Sequence, residues 1–270
     1  MTLKCILVHA DAGPGVESRV RLASRLAKHH GAVLIGAAAR LPMPILEVYA
    51  GGAAMISAGL MDVADETAEQ AFKTAEANFN SWTADSGVET EWRSAVDFPA
   101  AALAAMSAAA DIVVIGSTNG EQPFDAGDVI MKTGRPVLVV PPERVDLNAD
   151  NVLIAWKNTA EARRAIADAL PFLSEAKSVT LLHVGEEGIR NSGVEDAAKF
   201  LGRHGVRAVV EAVEPGSLTA AAEIIKAAER TRAGLIVLGA YGHSRMREWA
   251  FGGVTRDLLR RSEIPCLFSR

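Results

Sequence analysis

Gly234-Leu-Ile-Val-Leu-Gly239-Ala-Tyr-Gly242-His-Ser-Arg-Met-Arg-Glu-Trp-Ala-Phe-Gly252-Gly253-Val-Thr255 is the stretch that decides the fold. It opens with four uninterrupted aliphatic residues, stops at a glycine, and restarts as a helix at about Gly253. Asp111-Ile-Val-Val-Ile-Gly116 earlier in the chain has the same form. Continuous apolar runs, rather than alternating ones, suit parallel strands covered on both faces. Each run is followed by a short strand after proline, Pro136-Val-Leu-Val-Val and Pro265-Cys-Leu-Phe.

Working outward, the repeat extends over the whole chain. Residues 4–9 and 151–156 read as buried strands, each followed by a polar turn and an amphipathic helix. In the second copy Ala162, Ala165, Ile166, Ala169, Leu170 and Leu173 recur at helical spacing, with Asn158 and Glu161 as the expected cap and its reciprocal acid. Further strands are expected at Ala32–Ile35 and Val179–Val184. Strands alternating with helices predict a doubly wound α/β sheet, built twice in tandem. The proline-led stretch from Pro141 to Asp150 divides the chain into residues 1–145 and 146–270. The first copy is longer, and its extra length falls around Leu41–Leu60, read either as an excursion or as a lid.

Composition agrees. The chain has 270 residues, 49% apolar but only 5% aromatic. An Ala-rich, aromatic-poor core suits helices packed closely on a sheet. A net charge of −5 argues against a duplex nucleic-acid partner. Cys5 and Cys266 lie at opposite ends of the chain without metal-ligand spacing, which predicts reduced, buried thiols and no metal cluster. No run reaches the ~18–20 apolar residues of a membrane span, and the start is too short for a signal peptide, so a cytoplasmic protein is expected. His29-His30 reads as a solvated pair at the negative end of a helix dipole, and His9 and His183 fall near strand ends.

The glycine stretch carries the candidate chemistry. Backbone N–H groups at a loop and helix start lack intrahelical partners and, with the helix dipole, attract phosphate. His243, Ser244, Arg245 and Arg247 would add donors. The stretch is neither a Walker A loop nor a dinucleotide fingerprint. Its pattern Gly-x-x-Gly, nine residues, Gly resembles the nucleotide-binding signature of the universal stress protein (UspA) family, and the resemblance covers essentially the whole chain as two tandem domains. It implies two Rossmann-like (adenine nucleotide α-hydrolase-like) domains, each a five-stranded parallel sheet of order 3-2-1-4-5. It implies domain pairing through the last strands, making an intramolecular pseudo-dimer or a homodimer. It also implies ATP or AMP binding, found in some members only; charge and hydropathy, read above, argue against nucleic-acid and membrane partners. Carried over, the site comprises Gly239, Gly242, His243, Gly252, Gly253, Val254 and Thr255, with Lys157 and Val184 toward the adenine.

The copies depart from the family in opposite ways. The first keeps the acid expected after strand one, Asp11, but Gly127 follows Gly116 by 11 residues where Gly252 follows Gly239 by 13. Asn119 stands where the second glycine belongs, with Gly120 one place late, and Asp125 and Asp128 would repel phosphate. The second copy keeps the glycines but has Lys157 in place of the acid. Lys157 reaches either phosphate or solvent, and Thr255 either donates to phosphate or caps its helix. Trp156 is read as core. The expected function is adenine-nucleotide binding by the second copy in a stress response, with at most slow ATP hydrolysis. The alternative is a nucleotide-independent scaffold with both sites degenerate.

Overall fold

The computed structural model describes residues 2–11, 13, 15–42, 58–117, 124–186, 188–214, 216–242 and 253–270. Most of the Leu41–Leu60 excursion lies outside them.

The strands are β1 (Cys5–His9), β2 (Val33–Arg40), β3 (Thr90–Val96), β4 (Ile112–Gly116), β5 (Val137–Val140), β6 (Asn151–Trp156), β7 (Ser178–Val184), β8 (Ala208–Val213), β9 (Leu235–Gly239) and β10 (Cys266–Ser269). They form one ten-stranded sheet in the order β3-β2-β1-β4-β5-β10-β9-β6-β7-β8. Each half therefore reads 3-2-1-4-5, and all pairings within a half are parallel. The β2 strand is longer than the Ala32–Ile35 expected, because its small residues Gly36 to Ala39 stay in register with β3 up to Arg40.

Helices cover both faces. On one lie α1 (Val16–His30), α2 (Ala58–Thr83), α5 (Ala160–Asp168), α6 (Leu170–Leu173) and α8 (Val194–Arg203), with the short α7 (Gly188–Asn191) before α8. On the other lie α3 (Pro99–Met106), α4 (Ala126–Lys132), α9 (Ala220–Thr231) and α10 (Val254–Arg261). Strand side chains alternate between the two layers although both are apolar: in β9, Leu235 and Val237 join the first core and Ile236 and Leu238 the second. Each core layer draws residues from both halves. None of the described helices is long and apolar enough to cross a membrane.

Two local expectations need correction. Thr159, not Asn158, caps α5: its backbone is extended and its hydroxyl accepts the Ala162 N–H at 3.3 Å. Asn158 Oδ1 instead accepts from Arg163 at 2.9 Å. The apolar series from Ala162 to Leu173 is not one helix. It breaks between Asp168 and Leu170, because Pro171 has no N–H to continue the ladder.

The halves meet where β5 and β10 pair antiparallel, with Leu267 opposite Leu138, Cys266 opposite Val139 and Phe268 opposite Val137. Alone, each half would expose an apolar edge strand, which is an aggregation liability. Paired, Leu138 and Leu267 are fully buried. Leu267→Ala should cost about 2–5 kcal/mol in urea unfolding. Because Leu138 and Leu267 share one contact, the double alanine variant should lose less than the sum of the single losses; strict additivity would contradict this packing.

Candidate functional site

In an open α/β sheet, ligands bind at the carboxyl ends of the strands, where the strand order reverses. Each half has one such crevice, between β6 and β9 in the second and between β1 and β4 in the first.

In the second half, Ala155 pairs with Leu238 and Trp156 with His183. That register brings Lys157, Val184 and Gly239 to the same end of the sheet. The Lys157 side chain is exposed, and Val184 is half-buried. Gly239 is sterically required: a Cβ there would run into the Ala162 nitrogen and lie 2.6 Å from the Glu161 carbonyl carbon. Its absence lets the N-terminus of α5 rest on β9. The next N–H, of Ala240, donates to Ser269 in β10 at 2.8 Å. Tyr241 then takes a left-handed φ of 55°. Gly242 faces the start of α5, where an added Cβ would lie 3.0 Å from Glu161 Oε2 and 3.3 Å from Thr159 Oγ1.

The chain is described again at Gly253, the N-cap of α10, which as a glycine supplies no side-chain cap to the first-turn N–H groups. Val254 begins that helix; Thr255 is buried, and Leu258 anchors it in the core. His243 and Gly252 lie outside the described residues, as do Ser244, Arg245 and Arg247.

In the first half the corresponding crevice is filled from within. The buried Arg19 guanidinium donates to the His9 carbonyl at 2.7 Å and to Asp11 Oδ1 at 2.9 Å. Its Nη1 occupies the place a Gly116 side chain would take. The start of α4 carries its own anion: Asp125 Oδ1 accepts the Gly127 N–H at 2.8 Å. The Tyr241 hydroxyl, from the second half, closes against Gly127. Asn119 and Gly120 lie outside the described residues.

His9 sits beneath Arg19, stacked on Phe124 with centroids 4.6 Å apart. Its Nδ1 is 3.7 Å from Asp11 Oδ1, and its buried Nε2 has no hydrogen-bond partner among the described residues. Burial pushes its pKa down to about 4, outweighing the upward pull of Asp11, while Arg19 adds to the depression.

Trp156 is core, as expected, and His183 makes a contact within the sheet. The Trp156 indole N–H donates to the Ser192 carbonyl at 2.9 Å, and the ring is buried. His183, also buried, places Nδ1 3.3 Å from the Trp156 carbonyl, tying β7 to β6. A cavity of about 440 Å³ opens between α5 and α8, lined by Trp156, Asn158, Arg163, Gly193 and Phe200. Its described lining includes none of the loop glycines.

Sequence reasoning missed Arg19, Tyr241 and the Thr159–Glu161 pair beneath Gly242. Arg19 carried a signal: it shares a helix face with Val16, Val20 and Ala23, where a charged residue demands a buried partner. Tyr241 and Thr159 carried none, since their contacts depend on tertiary approach.

Comparison with known proteins gives a consistent result. Residues 190–270 match the model of the Universal stress protein family. A universal stress protein of Synechocystis sp. is 26% identical over 175 residues, 59% of this chain and 58% of that protein, so the match spans little more than half of the curated relative. Among solved structures, a universal stress protein from Archaeoglobus fulgidus is similar over 98% of this chain and 96% of its own, with TM-score 0.75 and 18% identity. A functionally unknown protein from Pseudomonas aeruginosa is similar over 99% of this chain and 92% of its own, with TM-score 0.58 and 17% identity. At these identities the solved structures establish the shared fold.

The buried His9 sets a pH dependence. Unfolded, its ring takes up a proton near pH 6.5; folded, it does so only near pH 4. Between those values the unfolded chain binds more protons, so stability falls as the pH drops through this window, by on the order of 3 kcal/mol in total. His9→Gln should remove that component. Urea unfolding at pH 7 and pH 4.5 should show a larger loss in the wild type than in the variant, and equal losses would contradict the assignment.

Proposed function

We propose that this relative of the universal stress proteins, whose residues 190–270 match the family's model, binds an adenine nucleotide (ATP or AMP) in its second half. In this reading residues 146–270 are the binding domain, and residues 1–145 are its fixed partner in an intramolecular pseudo-dimer. The proposed setting is the stress response, and the proposed activity is ligand-dependent signalling rather than rapid turnover.

One observation carries the reading: the contrast between the two helix starts. Asp125 occupies the N-terminus of α4, whereas α10 begins at Gly253 with no side-chain cap. Its first-turn N–H groups and positive dipole end suit a phosphate. The loop from Gly239 leads to it with glycines at the spacing read from the sequence. Glu161 sits beside Gly242, so the phosphates belong on the α10 side of the loop, away from that carboxylate. Lys157 lies at the end of β6, next to β9, and would hold the phosphates as a point charge. Val184 would face the base. His243 and Gly252 would complete the phosphate contacts.

Gly253→Asp rebuilds in the second half what Asp125 does in the first. The new carboxylate would cap α10 and repel phosphate. ATP affinity by calorimetry should fall by more than about ten-fold, while the thermal midpoint stays the same or rises. Gly116→Ser should leave affinity unchanged, because Arg19 already fills that crevice. Equal losses in both variants would mean that the wrong half has been assigned. No nucleotide binding by the wild type would favour the scaffold reading, to which Lys157 in place of the acid also points.

Lys157→Asp tests the base end. A carboxylate accepts a hydrogen bond from the adenine amino group, whereas an ammonium only donates. The variant should discriminate ATP from GTP more sharply and lose part of any preference for ATP over AMP. The wild-type preference should weaken with added salt. Unchanged selectivity would place Lys157 outside the site.

A further inference from the structure

The other end of the sheet holds a cluster that the nucleotide reading does not use. Helix α1 ends in His29-His30, and Gly31, with φ of 63°, then turns the chain away. Glu175 comes from the second half, in the turn between α6 and β7. Its Oε2 lies 2.6 Å from His29 Nε2 across 146 residues of sequence. The sequence reading of a solvated pair holds for His29 but not for His30, whose ring is buried, edge-on to His29 at 4.9 Å between centroids and edge-on to Phe172 at 6.2 Å. One ligand atom from each of the three side chains falls within 4.8 Å of the others. The cluster lines a cleft of about 510 Å³ between α1 and the connection from Asp146 to Asp150.

An exposed His–Glu pair alone would explain little, since such pairs are worth at most about 1 kcal/mol. Here a second imidazole, fixed against Phe172, joins the pair. We infer that His29, His30 and Glu175 form a binding site for a borderline divalent cation such as Zn2+, clamped between the two halves by two imidazoles and one carboxylate. Solvent takes the fourth position. Tetrahedral zinc with bonds of about 2.0–2.2 Å needs ligand atoms about 3.4 Å apart. The His29 and Glu175 side chains are 58% and 56% exposed, so small rotations bring the ligands to that spacing. The cation displaces the hydrogen bond that now joins them. Two nitrogens and one carboxylate favour Zn2+, Co2+ or Ni2+ over Mg2+ and Ca2+, which prefer all-oxygen shells. The nearby Asp146 and Asp150 are engaged by Arg25 and by Lys177 (2.7 Å). The cluster sits at the end of α1 away from the glycine crevice, so it stands or falls independently of nucleotide binding.

The test uses the full chain without an affinity tag, stripped with chelator and titrated with Zn2+ by calorimetry. One equivalent should bind, and the thermal midpoint should rise with Zn2+ and return on adding chelator. Co2+ should give the intense visible absorption of a four-coordinate site, and Mg2+ should not bind. His29→Ala and Glu175→Gln should each weaken Zn2+ binding by more than about ten-fold, since even removing a group that only supports a ligand costs about that much. Both residues are exposed, so the variants keep the fold; circular dichroism checks this, and the near-isosteric Glu175→Gln decides the matter if His29→Ala is perturbed. His204→Ala should bind as the wild type does. No saturable binding, or equal affinity in Glu175→Gln, would overturn the inference.

Discussion

The antiparallel pairing of β5 with β10 is the contact on which the rest of the structure depends. Three residue pairs centred on Leu138 and Leu267 join two parallel sheets into one. The junction covers both apolar edges, and it makes each helical layer continuous from one half to the other. It also brings Tyr241 against Gly127, so the loop after β9 rests on a helix of the other half. The halves are therefore mechanically one body, although each has its own crevice.

Within that body, identical topology carries opposite site chemistry. The first half answers its polar requirements internally: Arg19 pairs with Asp11 over Gly116, and Asp125 caps α4. A buried guanidinium needs such a partner, since removing one member of a buried pair strands a charge. The second half has an exposed Lys157, Gly239 and Gly242 against the start of α5, and a glycine without a side-chain cap at the start of α10. Among the described residues, the two crevices differ in their side chains and not in their topology.

Much of this was legible in the residues. The aliphatic runs ending in Gly116 and Gly239 mark β4 and β9, and the proline-led stretch marks the join, because buried parallel strands and turn residues have strong local signatures. Boundaries set by tertiary contact were less visible. Gly36 to Ala39 read as neutral residues until β3 lies beside them. Thr159 takes the cap from Asn158 because α5 must sit down on Gly239. At the candidate site the glycines could be read directly. That Arg19 needs a buried partner could be read from its place on the apolar face of α1; that its guanidinium reaches over Gly116 in β4 could not, because that approach is tertiary. The His29–Glu175 approach is hidden for the same reason, with ligands from the two halves meeting only after the sheet is joined.

The central claim is the proposal that an adenine nucleotide binds at the second crevice and not at the first, where Arg19 lies over Gly116. Photo-crosslinking with an azido-adenine nucleotide, followed by peptide mapping, tests it most directly. The account predicts labelled peptides confined to residues 146–270, around the ends of β6, β7 and β9, with labelling competed by unmodified ATP. Competed labelling of peptides that contain Asp11, Arg19 or Gly116 would contradict it.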